Sequence, residues 1–113
     1  MNAEKIVEAQ VAAYNERNLI DFVNCHSEDI ELYNYPNTTP YATGRESLKA
    51  RYGDVFENSP DLHTEILKRI SLGKVVIDYE RVTGRKEVES MLIIAIYEIE
   101  NGLIAKARFI REG

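Results

Sequence analysis

Apolar and polar residues alternate with a period of two along most of the second half of the chain, from Leu62 to Arg111. Turn residues divide this stretch into a four-strand antiparallel meander. Gly73-Lys74 and Gly84-Arg85 suit two-residue hairpins with glycine in the first central position. Glu100-Asn101-Gly102 is read as a three-residue turn with Gly102 left-handed. That choice aligns Ile93, Ala95, Tyr97 and Ile99 with Leu103, Ala105, Ala107 and Phe109, whereas a two-residue turn would bring Lys106 and Arg108 into the apolar set.

The first half has a different period. Ile6, Val7, Val11 and Tyr14 recur at helical spacing within Ala3 to Glu16. A short second helix, about Asn18 to Cys25, brings Leu19, Phe22 and Val23 inward, with Asn18 suited to cap it. Asp29 to Tyr35 alternates as a strand. Residues 36–40, with two prolines and three short polar side chains, predict a loop. A third helix over Arg45 to Asn58 carries Leu48, Tyr52, Val55 and Phe56 on its inner stripe, and Ser59-Pro60 stops it.

At 113 residues, with 44% hydrophobic and 29% charged residues, the chain is expected to form one globular domain spanning 1–113. A net charge of −5 and the lack of any Lys/Arg cluster argue against a nucleic-acid partner. No apolar run approaches the ~20 residues of a membrane helix, so no membrane partner is expected either. The lone Cys25 cannot form an internal disulfide, and the amphipathic pattern that starts at once after Asn2-Ala3-Glu4-Lys5 leads us to expect no signal peptide. The expected location is cytoplasmic. Two histidines and one cysteine at no recognised spacing argue against a metal site, and no cofactor-binding motif occurs.

The first hairpin of the meander concentrates the chemistry. One face reads His63, Glu65, Leu67 and Arg69, then Val76, Asp78, Glu80 and Val82, while the other carries Ile66, Ile70, Leu72, Val75, Ile77 and Tyr79. If Gly73-Lys74 sets the register, Arg69 pairs with Asp78 and Leu67 with Glu80. Enclosed, this face would supply acid, base and charge stabilisation from His63, Arg69, Asp78 and Glu80. Exposed, Arg69 and Asp78 would be an ordinary surface ion pair. The last two strands are apolar on both faces, with Leu92, Ile94 and Ile96 opposite to Ile93, Ala95 and Tyr97. Helices can cover one face and a second copy the other, which predicts a homodimer through the sheet.

The order helix, helix, strand, loop, helix and meander, with Val11-Ala12-Ala13-Tyr14-Asn15, Glu28-Asp29-Ile30 and Gly44-Arg45-Glu46-Ser47-Leu48 within it, resembles the nuclear transport factor 2-like superfamily. The likeness is to its SnoaL-like and ketosteroid-isomerase-like branches. It implies an α+β cone in which a curved antiparallel sheet wraps three N-terminal helices around a pocket for a small organic ligand. The family's spacing places Tyr14, His26, Asn34, Tyr52, Phe56, Tyr97 and Phe109 toward that pocket as ligand-binding positions. It also turns the His63, Val76, Asp78, Glu80 and Ala95 face inward and the Ile66/Ile77 face toward the dimer contact.

The resemblance does not extend to ketosteroid isomerisation. The base position holds Asn34, the oxyanion tyrosine's position Gln10 and the protonated acid's position Ala95; only the supporting Tyr52 matches. The expectation is therefore a small-molecule-binding protein acting on a partly apolar compound. Acid–base chemistry of isomerase, hydrolase or dehydratase type would come from Asp78, Glu80, His63 and Arg69. The alternative is a non-catalytic ligand-binding or dimerisation domain.

Overall fold

Each N-terminal helix begins on an asparagine side chain. The structure, a computed structural model, describes residues 2–112. Helix α1 (Ala3–Glu16) is capped by Asn2, whose Oδ1 accepts from Glu4 N at 3.0 Å. Helix α2 (Leu19–Asn24) is capped by Asn18, whose Oδ1 accepts from Asp21 N at 3.1 Å. Between them Arg17 takes the left-handed conformation and donates its backbone N–H back to the last turn of α1. Strands β1 (His26–Asn34) and β2 (Ala42–Thr43) precede helix α3 (Gly44–Asn58). Strands β3 (His63–Leu72), β4 (Val75–Thr83), β5 (Ser90–Glu100) and β6 (Leu103–Arg111) complete the chain.

The six strands form one sheet in the order β2-β1-β6-β5-β4-β3. Its pairs are antiparallel except β1 with β6. The architecture is α+β, with the helices against one face of a curved open sheet. The core lies between them and includes Val7, Phe22, Leu48, Val76, Ala95 and Ile104. The end of α1 is pinned to the start of β3. Asn15 Oδ1 accepts from Thr64 N at 2.7 Å, its Nδ2 donates to Thr64 O at 3.1 Å, and Arg17 donates to Leu62 O at 3.0 Å.

The meander's length and order agree with the alternation, but three register details differ from it. First, Gly84-Arg85 is not a two-residue hairpin: Thr83 faces Ser90, so residues 84–89 form a longer loop. Gly84, at φ +75°, passes so close to Asp61 that an added Cβ would stand 2.0 Å from its carbonyl oxygen. Lys86 N also donates to the buried Ser59 Oγ at 3.0 Å. The glycine serves loop docking here.

Second, the last hairpin turns on Asn101-Gly102 alone, both at positive φ, with Glu100 opposite Leu103. Ala105 is then the extra residue, because Glu98 faces Lys106 while Ile99 faces Ile104. Ala107 and Phe109 still point to the core, but Ile104 replaces Leu103 and Ala105 there.

Third, Leu67 is a bulge between Ile66, which faces Glu80, and Lys68, which faces Tyr79. Arg69 does face Asp78 as the turn predicts. The bulge reverses which side chains of the preceding residues point inward. Thr64 and Ile66 therefore join the Asp78/Glu80 face, while His63 and Glu65 are exposed on the other.

Candidate functional site

A cavity of about 250 Å³ lies between the helices and the inner face of the sheet. Helix α1 contributes Gln10, Val11 and Tyr14, and α3 contributes Leu48, Arg51, Tyr52 and Val55. The sheet contributes Thr64, Glu80, Ile93, Tyr97, Phe109 and Arg111. Phe22, from α2, and His26, at the start of β1, also line it. Aromatic packing sets the shape: the Phe22 ring stands 4.6 Å from Tyr52 and 4.8 Å from His26, centre to centre. Tyr97 meets Phe109 edge-on at 6.5 Å. Each such pair contributes about 0.5–1.5 kcal/mol beyond the area it buries.

Behind Glu80 sits a bidentate ion pair. Arg69 Nε and Nη2 donate to the two Asp78 carboxylate oxygens at 2.6 and 2.9 Å, and the Asp78 side chain is fully buried. Neither residue lines the cavity. Glu80, two residues along β4 on the same face, does line it. Burial pushes its carboxyl from 4.5 up to about 8, and the Asp78 charge adds to the rise. Arg69, Thr64 and Arg111 oppose it. At pH 7 only about a tenth of Glu80 is ionised, on the relation between pKa and protonation.

His26 is buried and also uncharged. Its Nδ1 lies 2.8 Å from Phe22 O, a group that can only accept, so Nδ1 carries the proton and Nε2 presents a lone pair. Burial lowers its pKa to about 4; hydrogen bonding to the backbone of Phe22 works against the drop, and the Arg45 charge assists it. Burial likewise pushes the Tyr14 hydroxyl up to about 12 and raises those of Tyr52 and Tyr97, so all three remain protonated donors. The Glu80 charge, when present, adds to each rise.

Among the described residues the hydroxyls of Tyr14, Tyr52 and Tyr97 make no hydrogen bond to protein, and Gln10 Oε1 is buried without a partner. Four polar groups thus converge on one cavity unmatched by the fold, beside Thr64, Glu80 and the free His26 nitrogen. Buried polar groups are paired as a rule, and those left open here face space that another molecule can fill.

A family profile described as the SnoaL-like domain matches residues 7–107. The chain belongs to the SnoaL-like family. Solved structures similar to this SnoaL-like chain agree on the fold. A cystatin-fold protein from Novosphingobium aromaticivorans is 26% identical, at a TM-score of 0.89 over 98% of this chain and 99% of that one. A SnoaL-like protein of unknown function from Burkholderia thailandensis is 17% identical, with TM-score 0.81 over 98% and 94%. A protein with a ketosteroid isomerase-like fold from Catenulispora acidiphila, solved in complex with trimethylamine, is 18% identical, with TM-score 0.77 over 92% and 82%. No functionally curated protein is significantly similar to the chain.

Within this SnoaL-like fold the positions singled out from sequence separate into three groups. Tyr14, His26, Tyr52, Glu80, Tyr97 and Phe109 border the cavity. Asp78, Arg69 and Phe56 stand one layer behind, Phe56 packing on Tyr14 at 5.6 Å and on Phe22 at 5.5 Å. His63 and Asn34 lie outside: the Leu67 bulge turns His63 to the outer face, and Asn34 is exposed, accepting from Arg111 at 2.6 Å. Thr64 and the arginines Arg51, Arg85 and Arg111 were not singled out from sequence, and Gln10 entered only as the residue at the oxyanion tyrosine's position, not as a ligand-binding one. Gln10 was accessible, since it falls on the same helical stripe as Val7 and Tyr14. Thr64 was hidden by a bulge that leaves no mark in the alternation.

Proposed function

We propose that the cavity binds a small, partly apolar organic molecule and that Glu80 exchanges a proton with it. The observation that carries this reading is the set of unpartnered polar groups around a partly aromatic hollow. A cavity of about 250 Å³ falls just below the ~300–1,000 Å³ usual for ligand sites. Its size suits a one- or two-ring compound better than a steroid. A carboxyl near 8 is poised to give and take protons around neutral pH. In this reading Glu80 is the proton donor and acceptor, the Tyr14 and Tyr97 hydroxyls hold a substrate oxygen, and the His26 Nε2 lone pair accepts from a substrate hydroxyl or amide. Asp78 and Arg69 act through Glu80: the carboxylate raises its proton affinity and the guanidinium holds the Asp78 carboxylate in place by two hydrogen bonds. The reaction types that fit are isomerisation, dehydration and hydrolysis of small carbonyl or hydroxyl compounds. His63 has no part in it.

Deuterium incorporation at acidic C–H positions of small ketones, followed by NMR in D₂O, tests the chemistry. The wild type is expected to accelerate exchange for at least one compound and Glu80→Gln to lose 10²–10⁴-fold, the range of general acid–base catalysis. Equal rates in both proteins would remove Glu80 from any mechanism.

The outer sheet face supports a homodimer. Ile70, Leu72, Tyr79 and Ile110 are exposed there, and Ile77, Ile94 and Ile96 are half-buried between them. A self-complementary contact on this face would cover them while leaving the cavity, on the opposite side of the sheet, free.

A further inference from the structure

Three arginines from three separate segments border the cavity: Arg51 from α3, Arg85 from the loop after β4 and Arg111 at the end of β6. Elsewhere the guanidinium groups are matched. Arg69, Arg81 and Arg108 pair with Asp78, Glu65 and Glu98, while Arg17 and Arg45 donate to backbone carbonyls. Arg51, Arg85 and Arg111 form no ion pair among the described residues. That is unexpected in a chain where 19 acidic residues face 14 basic ones, because carboxylates are in excess.

Neutral groups hold Arg51 and Arg111 in place instead. Arg51 and Arg111 lie 4.7 and 6.0 Å from the centre of the Tyr41 ring, and Arg111 also lies 4.8 Å from that of Phe109. Arg111 further donates to Asn34 Oδ1 at 2.6 Å and to the Tyr41 hydroxyl at 3.4 Å. Arg85 adjoins Lys86, whose backbone N–H donates to Ser59 Oγ at 3.0 Å. Two carboxyl groups share the cavity wall. Glu80 is mostly protonated at pH 7, and exposed Asp54 accepts from Asn58 at 3.1 Å without joining an ion pair. The wall therefore carries an excess of positive charge.

We propose that the ligand is a small organic carboxylate, its anionic end held by Arg51 and Arg111 with Arg85 alongside, and its uncharged body against Tyr14, Tyr52 and Tyr97. The inference rests on the ligand-binding reading above. Planar guanidinium forks match a carboxylate with two parallel hydrogen bonds. A phosphate commonly takes backbone N–H groups at a helix N-terminus as well, and Gly44, where α3 begins, does not border this cavity.

Calorimetric titration of the full chain with benzoate, phenylacetate and 1-naphthoate, each beside its primary amide, tests the assignment. At least one carboxylate is expected to bind tenfold or more tightly than its amide. The double variant Arg51→Gln/Arg111→Gln should weaken that carboxylate at least tenfold and its amide less than twofold. Both side chains are exposed, so an unchanged melting temperature should accompany the loss. Equal affinity for acid and amide, or a carboxylate indifferent to the double variant, overturns the anion assignment and leaves the ligand-binding reading standing. Phenyl phosphate binding tenfold tighter than benzoate overturns the choice of carboxylate. Absence of binding by every compound overturns both readings.

Discussion

Replacing Glu80 by glutamine keeps the shape of the side chain and removes a proton equilibrium that the fold has displaced. Below pH 4.5 the carboxyl is protonated in folded and unfolded chain alike, so wild type and variant share its contribution. Between 4.5 and about 8 the unfolded chain ionises while the native state stays neutral. Over that window the unfolded state binds fewer protons, and native stability falls by about 1.4 kcal/mol per pH unit. From pH 5 to pH 9 the wild type should therefore lose about 4 kcal/mol that Glu80→Gln retains, on that same linkage. This is a large share of the ~5–15 kcal/mol that stabilises a domain. His26 works in the other direction. Its pKa is lowered to about 4, so stability rises as pH increases from there to 6.5. The two slopes cancel between 4.5 and 6.5 in the wild type, and the decline appears above 6.5. Urea unfolding of both proteins at each pH isolates Glu80, because His26 is common to them. A stability difference constant to within about 0.5 kcal/mol from pH 5 to 9 would refute a protonated, sheltered Glu80, since linkage admits no other slope.

Other perturbations follow from the same geometry. Arg69→Met leaves the fully buried Asp78 carboxylate without its partner and should cost about 3–5 kcal/mol by thermal or urea melts. Asp78→Asn removes the charge beside Glu80, so the Glu80 carboxyl should titrate at lower pH, read from its ¹³C shift. Gly84→Ala places a Cβ against Asp61 at a positive φ and should destabilise by about 2–3 kcal/mol, seen as a lower urea midpoint. Ile96→Lys puts a charge in the middle of the outer sheet face and should shift the sedimentation of a dimer to that of a monomer; an unchanged coefficient would count against the sheet contact.

How much of this the residues disclosed depended on the kind of signal. Helix limits at Glu16 and Asn58 were legible because caps and breakers act locally: Asn18, Ser59 and Pro60 each exclude alternatives within a few residues. The Arg69–Asp78 pair was legible because it lies close to a turn that fixes its register. Farther from that turn, a one-residue bulge at Leu67 exchanged His63 for Thr64 on the inner face. Alternation cannot reveal such a change, since His63 and Glu65 are as compatible with either side as Thr64 is. At the other hairpin, Asn101-Gly102 had the two-residue turn signal, and the alignment of Leu103 and Ala105 pointed away from it. The bulge at Ala105 reconciles both observations by reversing parity after the turn. Charge burial was the least legible property. The Ile77 face carries more apolar residues, yet the Asp78/Glu80 face is the buried one, because Arg69 pairs with Asp78 and protonation neutralises Glu80. Arg51, Arg85 and Arg111 lie in segments far apart in sequence, so only folding brings them together.

The most direct test is a site-specific titration of the Glu80 carboxyl by ¹³C NMR in the free protein, assigned with Glu80→Gln. The structure calls for a midpoint close to pH 8, moving lower in Asp78→Asn. A midpoint between 4 and 5, unmoved by that substitution, would mean that the carboxyl is solvated as on any surface and that the cavity shelters no proton donor.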